Sequence, residues 1–217
     1  MLGRTRAAHY HDADRSDFHV LLPRRDLEHD ATMHRLTVAL LLAAVLTAPA
    51  VETKPLPVIS TTDGDTIAVR GDLGGQPLPV RVRLLYIDTP EKRANSHGDA
   101  MPEGKAASAS LRAALPLGTQ VVLWGPGEEL EADSYGRVLA VVYRVEGDRR
   151  ENVNALMVRA GWSPYWRKYG DAPEPVHAEL LAAQVDARAA KAGAWLTAEK
   201  YMVDKTNERT APKAKRP

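Results

Sequence analysis

The sequence has no cysteine, so neither disulfide bridges nor thiolate metal sites are open to it, and lipid attachment at a processed cysteine is excluded. Whatever domain it forms is held together by packing alone. It also lacks an apolar run of membrane-spanning length: the run from Leu36 to Leu46 falls short of the about 20 residues such a helix requires. Charge of one sign is not in excess either. A net charge of +1 is too small for a protein that coats nucleic acid indiscriminately, so any phosphate binding must be local. No internal repeat is present.

What is there, 44% hydrophobic and 26% charged residues in a 217-residue chain, suits one globular domain with a core plus some unstructured sequence. Near the N-terminus, Met33-His34-Arg35 precedes the apolar run, and Thr47-Ala48-Pro49-Ala50 follows it. A basic segment, a short apolar stretch and an A-x-A site together read as a secretory signal over residues 33–50. Met33 is then the biological start, Met1 a mis-assigned start codon and Val51 the first mature residue, with a genuine upstream extension as the rival. The product is expected to be exported, periplasmic or extracellular after cleavage near Ala50, with no stable membrane association. Residues 1–32 hold His9, His11, His19 and His29 beside several Asp, but no framework positions them as metal ligands, and the segment is read as disordered or untranslated.

In the mature part, Leu56 to Thr61, Thr66 to Arg70 and Leu78 to Ile87 are strand-like, separated by the turn signals Asp63-Gly64 and Gly71 to Gly75. Two more strands are expected at Gln120 to Trp124 and Val138 to Val145. Helices are predicted from Pro102 to Leu115, from about Asn154 to Ala160, and from about Pro175 to Ala192, the last with a buried stripe of Val176, Leu180, Leu181, Val185 and Ala189. Five strands with an inserted helix form a small β-barrel pattern. Trp162 and Trp195 are expected in the core. Residues 51–197 make up the domain and 198–217 a polar, disordered tail.

Three short motifs carry chemistry. In Thr62-Asp63-Gly64-Asp65-Thr66 a hairpin turn explains Asp-Gly but not the second carboxylate, Asp65, where the next strand begins. In Arg83-Leu84-Leu85-Tyr86-Ile87-Asp88-Thr89-Pro90-Glu91 an apolar strand opens with a cation and ends in two acids. Strict alternation puts Arg83 and Asp88 on opposite faces, so a bulge or the strand's end must intervene if both serve one site. Asp133-Ser134-Tyr135-Gly136-Arg137 delivers a second arginine from a turn. Each alone has an ordinary structural explanation. Together they meet the needs of phosphodiester cleavage: hard oxygen ligands for Ca²⁺ or Mg²⁺ (Asp65, Asp88), a carboxylate to orient or deprotonate water (Glu91), and two guanidiniums for the phosphate (Arg83, Arg137).

These motifs, with Asn154 to Gly161, occur in the order and near the spacing of the staphylococcal (micrococcal) nuclease family, which the chain resembles from about Leu56 to Trp195. The resemblance implies an α+β, mainly β architecture, a five-stranded OB-fold barrel with three helices. It implies a calcium-dependent endonuclease and exonuclease that cleaves DNA and RNA to leave 3′-phosphate ends and acts as a monomer. Asp65 and Asp88 would bind Ca²⁺ through side chains and Thr89 through its carbonyl, with Asp63 supporting from outside. Glu91 would sit by the attacking water. Ser134 departs from a lysine common at that position. Tyr135 and, in a register left open, Tyr165, Trp166 or Tyr169 are candidates for substrate contact, since aromatics interleaved with Arg167 and Lys168 suit single strands. The rival is a catalytically inactive nucleic-acid-binding OB-fold module; such modules lose acids or arginines that this chain keeps. An exported OB-fold that binds oligosaccharide or protein gives no reason for the full set.

Overall fold

The computed structural model describes residues 49–73, 78–94 and 99–209. Residues 1–32 with their histidines, nearly all of the export segment 33–50 and the end of the tail lie outside the described residues.

Among the described residues seven strands form one sheet: β1 (Ala50–Glu52), β2 (Leu56–Thr61), β3 (Thr66–Val69), β4 (Val80–Leu84), β5 (Gln120–Pro126), β6 (Val138–Glu146) and β7 (Arg149–Asn152). β2, β3 and β4 make an antiparallel meander, β4 pairs in parallel with β6, and β6 pairs antiparallel with β5. β5 returns to β2, which closes a five-stranded barrel. One strand does the joining: β6 pairs with β4 through Val138–Ala140 and with β5 through Val141–Arg144. β1 and β7 are additions that lengthen β5 and β6. β1 begins at Ala50, so the expected cleavage leaves Val51 and Glu52 of it.

Side-chain alternation decides what each strand contributes. In β4, Val80, Val82 and Leu84 are buried in the barrel, while Arg81 and Arg83 face outward. With Val58, Ile67, Val121, Leu123, Ala140 and Val142 they build the core.

Five helices are present among the described residues: α1 (Pro102–Ala114), α2 (Val153–Arg159), α3 (Val176–Ala189), α4 (Ala194–Thr197) and α5 (Glu199–Asn207). Proline at the start of α1 suits a position whose N–H has no helical partner. Asn152 caps α2, its side-chain oxygen accepting from Ala155 N at 3.1 Å. α2 ends at Gly161, whose φ of +76° and 2.1 Å clearance to the Ala192 carbonyl, measured from where a Cβ would stand, leave room for glycine alone.

The structure corrects two expectations about the C-terminal third. α3 buries Val176, Leu180, Ala183 and Ala187, whereas Leu181 and Val185 are 40% and 61% exposed. The buried face follows alanines: Ala183 packs in the main core and Ala187 against Ala194, Trp195 and Met202. The expected tail at 198–217 also carries α5, and Met202 of that helix is fully buried against Ala187, Ala194 and Trp195. A helix that anchors through one methionine and spends its other residues on ion pairs reads as polar tail. Trp195 is buried as expected, and Trp162 packs half-buried at the edge of the main core.

Candidate active site

The first acids enter from the turn between β2 and β3. Gly64 is required there: a Cβ would stand 2.6 Å from the Thr89 hydroxyl and 2.7 Å from Ala107. This close approach lays Asp65 against the loop after β4. Asp65 is buried, and its Oδ2 accepts from Thr89 N at 3.1 Å and Thr89 Oγ1 at 3.2 Å.

The conflict between strand alternation and a shared site is resolved by the strand's end. β4 stops at Leu84, and Tyr86 takes φ +61°, a left-handed conformation that costs a non-glycine residue about 1 kcal/mol or more. Tertiary bonds hold it: Trp166 N donates to Tyr86 O at 2.8 Å, and Asn154 Nδ2 donates to Leu85 O at 2.7 Å. The chain thereby turns back and brings Asp88 to the same side as Arg83. Arg83 Nη2 lies 2.8 Å from Asp88 Oδ1 and 3.2 Å from Asp65 Oδ2, while its Nη1 donates to the Leu84 and Ile87 carbonyls at 2.7 and 2.8 Å. Buried Ser163 fixes the loop by accepting from Asp88 N at 2.8 Å. α1 fixes Glu91: Met101 N donates to Glu91 O at 2.8 Å, and a Cβ on Gly104 would stand 2.4 Å from that carbonyl.

Arg137 arrives from the turn before β6. Asp133 holds it, accepting from Nε and from Nη2 at 2.7 Å each, and Arg137 Nη1 reaches Thr66 Oγ1 at 3.4 Å, next to Asp65. Its guanidinium also lies 5.4 Å from the centroid of the Tyr135 ring.

Negative charge is crowded here. Burial, then the neighbouring Asp65 carboxylate, raise the Asp63 pKa to about 6. Burial likewise raises Asp88, with Arg83 opposing it. For Arg83, burial disfavours the cation, but Asp65 and Asp88 overcome this and raise its pKa. A hard divalent cation fits such a place: two convergent carboxylates and the Thr89 backbone offer oxygens only, and added positive charge relieves the crowding that perturbs Asp63. Among the described residues no three acids or histidines come together as a ready-made cage, so an ion held here draws on backbone and solvent as well.

All of these side chains open into one cleft of about 1100 Å³, lined also by Tyr135, Trp166, Lys168 and Tyr169. Of the aromatic candidates, Tyr165 is corrected. It is fully buried, bridges to Ile87, and spends its hydroxyl on His177 Nδ1 and Ala172 N at 2.8 Å each, so it holds the loop and does not face the cleft. Trp166 is half-buried; its indole N–H donates to Glu208 at 2.9 Å, and Arg83, Lys168 and Lys205 all lie within 5.8 Å of its ring. Tyr169 is 78% exposed and Tyr135 54%; the Tyr169 ring meets Trp166 edge-on at 5.4 Å, and both rings present surface to the cleft.

Sequence reasoning missed Ser163, Gly104, Lys205 and Glu208. A glycine in the first turn of a helix was the one available signal, since it is a poor helix former kept for close approach.

The family model described as staphylococcal nuclease homologue matches residues 81–197. That segment includes Arg83, Asp88, Thr89, Glu91 and Arg137; it begins after Asp65 and ends before α5. Among curated proteins, the chain is 34% identical to Protein ParB of Escherichia coli over 174 residues, 75% of this chain and 88% of the relative. It is 34% identical to a micrococcal nuclease of Shigella flexneri over 143 residues, 64% and 71% of the two chains. It is 31% identical to an uncharacterized endonuclease of Haemophilus influenzae over 162 residues, 74% and 76% of the two chains.

Proposed function

The chain belongs to the staphylococcal nuclease homologue family, and from that premise we propose that it is an exported, calcium-dependent nuclease hydrolysing DNA and RNA, with single strands preferred, to leave 3′-phosphate ends. The observation that carries the reading is the position of Arg83, one nitrogen of which touches both Asp65 and Asp88, at the floor of a cleft that also holds Glu91 and Arg137.

Asp65 and Asp88, with the Thr89 carbonyl, are the groups that would hold Ca²⁺, which would supply a fixed positive charge for the phosphate. Asp63 supports Asp65 through its bond to the Asp65 N–H at 3.3 Å. Glu91 orients water and takes its proton as the oxygen attacks phosphorus. The P–O5′ bond breaks, which leaves the phosphate on the 3′ side, and the departing O5′ takes a proton from solvent to give a 5′-hydroxyl on the other fragment. Charge gathers on the equatorial oxygens during this displacement, and the guanidiniums of Arg83 and Arg137 stabilise it. Tyr135, Trp166 and Tyr169 face the bases or sugars, with Tyr169 the freest to stack. The reading takes the protein to be a monomer. Export to the periplasm or the medium rests on the signal-like segment at residues 33–50, and no helix among the described residues is long and apolar enough to cross a membrane.

The test is degradation of denatured DNA and of RNA by the purified chain, with Ca²⁺ and with chelator, followed by end-group analysis. Cleavage that needs Ca²⁺ and leaves 3′-phosphates is expected. Undiminished cleavage in chelator removes the metal assignment, and oligonucleotide binding without cleavage under any divalent cation makes the chain a binding module.

A further inference from the structure

Among the described residues the cleft is lined by nine acidic side chains and five cationic ones, an unfavourable balance for a polyanionic substrate, so each cation there matters. Most of the five have settled partners. Arg81 donates to the Tyr135 carbonyl, Arg137 is gripped by Asp133, and Lys168 Nζ is 2.6 Å from Glu208. The remaining pair, Arg83 and Lys205, share one carboxylate: Arg83 Nη2 is 2.8 Å from Asp88 Oδ1 and Lys205 Nζ is 2.5 Å from Asp88 Oδ2.

Lys205 comes from α5, beyond the segment that the family model matches. Its placement is built and not incidental. Met202, one turn earlier, is fully buried, and Glu208, one turn later, bonds Trp166 Nε1 at 2.9 Å and Lys168 at 2.6 Å. The lysine side chain itself is only 25% exposed. Two carboxylates face its ammonium, Asp88 at 2.5 Å and Glu208 at 3.5 Å.

We propose that Lys205 is a phosphate-binding residue of this cleft, resting on Asp88 in the free protein and moving to a non-bridging oxygen of the scissile or adjacent phosphate when substrate enters. The proposal rests on the nuclease reading above. Asp88 Oδ2, its present partner, is an oxygen of one of the two carboxylates assigned to the metal, so Lys205, like Arg83, is a cation whose carboxylate partner would be engaged elsewhere in the loaded site, and among the described residues it lacks the backbone carbonyl bonds that hold Arg83 there. Glu208 Oε2, 3.5 Å away, keeps the released ammonium at the cleft wall. Two cations that converge on the oxygens of one carboxylate are also spaced to converge on a phosphate beside it. Since phosphate contact from a lysine is a point-charge interaction, arginine should substitute for it and an uncharged chain of equal length should not.

The test uses the full chain in a Glu91→Gln background, where cleavage is slow enough to read binding, with fluorescein-labelled octathymidylate, Ca²⁺ and a series of salt concentrations. Lys205→Met, which keeps the alkyl stem, is expected to weaken binding about tenfold and to lower the slope of log Kd against log salt by about 0.7, the share of one single-strand phosphate contact. Lys205→Arg is expected to retain both. Unchanged affinity and slope in Lys205→Met overturn the proposal. So does Lys205→Met with tighter Ca²⁺ binding by calorimetry and no loss of oligonucleotide affinity, which would make Lys205 only a competitor for Asp88. A chain with Glu91 restored that neither binds nor cleaves the oligonucleotide overturns the nuclease reading and the role of Lys205 with it, whereas one that does both beside an indifferent Lys205→Met overturns the lysine alone.

Discussion

The two walls of the cleft are built on different terms. The barrel wall has Asp65 and Thr89 buried and Arg83 and Asp88 nearly so, and backbone groups brace its ion pairs: Arg83 bonds two carbonyls, Asp65 accepts from Thr89 N, and Asp88 N donates to buried Ser163. The C-terminal wall, with Trp166, Lys168, Tyr169, Lys205 and Glu208, is half-exposed and held by side chain to side chain ion pairs. Reacting atoms need fixed positions, which backbone bonds and burial provide. A long flexible substrate needs partners that can exchange, which ion pairs at a cleft rim provide.

The largest expected effect comes from the arginines, and it tests whether they differ as their surroundings do. Arg83→Ala and Arg137→Ala are each expected to lower turnover about 10²–10³-fold, the cost of losing a preorganised charge stabiliser. Their stabilities should diverge. Arg83→Ala leaves buried Asp65 without its cation and Asp88 with Lys205 alone, and should cost about 3 kcal/mol in urea unfolding without metal, whereas Arg137→Ala breaks a partly exposed pair worth less than about 1 kcal/mol. Equal stability losses would mean that the barrel wall is not the rigid one. Wild-type turnover in either variant removes that arginine from the chemistry.

The same division explains what could be read before the structure. The strands and the acids on them were legible because β4 alternates strictly, Val80, Val82 and Leu84 inward, and because the acids sit at turn and strand ends where a plain hairpin does not need them. The turn at Tyr86 was not legible, since its left-handed backbone depends on Trp166 and Asn154, both distant in sequence. On the C-terminal wall the usual signals pointed the wrong way. Ala183 and Ala187 bury the face of α3 that Leu181 and Val185 seemed to own, and α5 hides one methionine among residues chosen for ion pairs. Lys205 belongs to no motif at all. Periodicity locates elements that bury large apolar side chains, and both misread elements bury small or single ones.

A middle-sized effect separates the two tyrosines that were indistinguishable in the sequence. Tyr169→Ala removes an exposed ring from the cleft and should weaken oligothymidylate binding by about 1–3 kcal/mol, with the melting temperature unchanged. Tyr165→Phe removes a buried hydroxyl that bonds Ala172 N and His177, and should cost about 1–3 kcal/mol of stability with binding unchanged. The reverse pattern would move the base-contacting register from Tyr169 back to Tyr165.

The smallest effect concerns Glu208, which ties the C-terminal wall together. Burial works against its carboxylate, but hydrogen bonds from Lys168 and Trp166 prevail and hold its pKa below the ordinary value of 4.5. A depressed folded pKa means that its contribution is fully present above about pH 4.5 and lost as pH falls through the folded value. The pairs are about one-third exposed, so the contribution should stay below about 1 kcal/mol. Because Glu208 touches the indole of Trp166, the loss is expected to appear as a change in tryptophan fluorescence below pH 4.5 that precedes global unfolding. Glu208→Gln should abolish that step while leaving the unfolding of the barrel in place. If the fluorescence of the parent changes only in concert with global unfolding, the C-terminal wall is as firmly fixed as the barrel wall, and the exchange of partners assigned to Lys205 loses its physical basis.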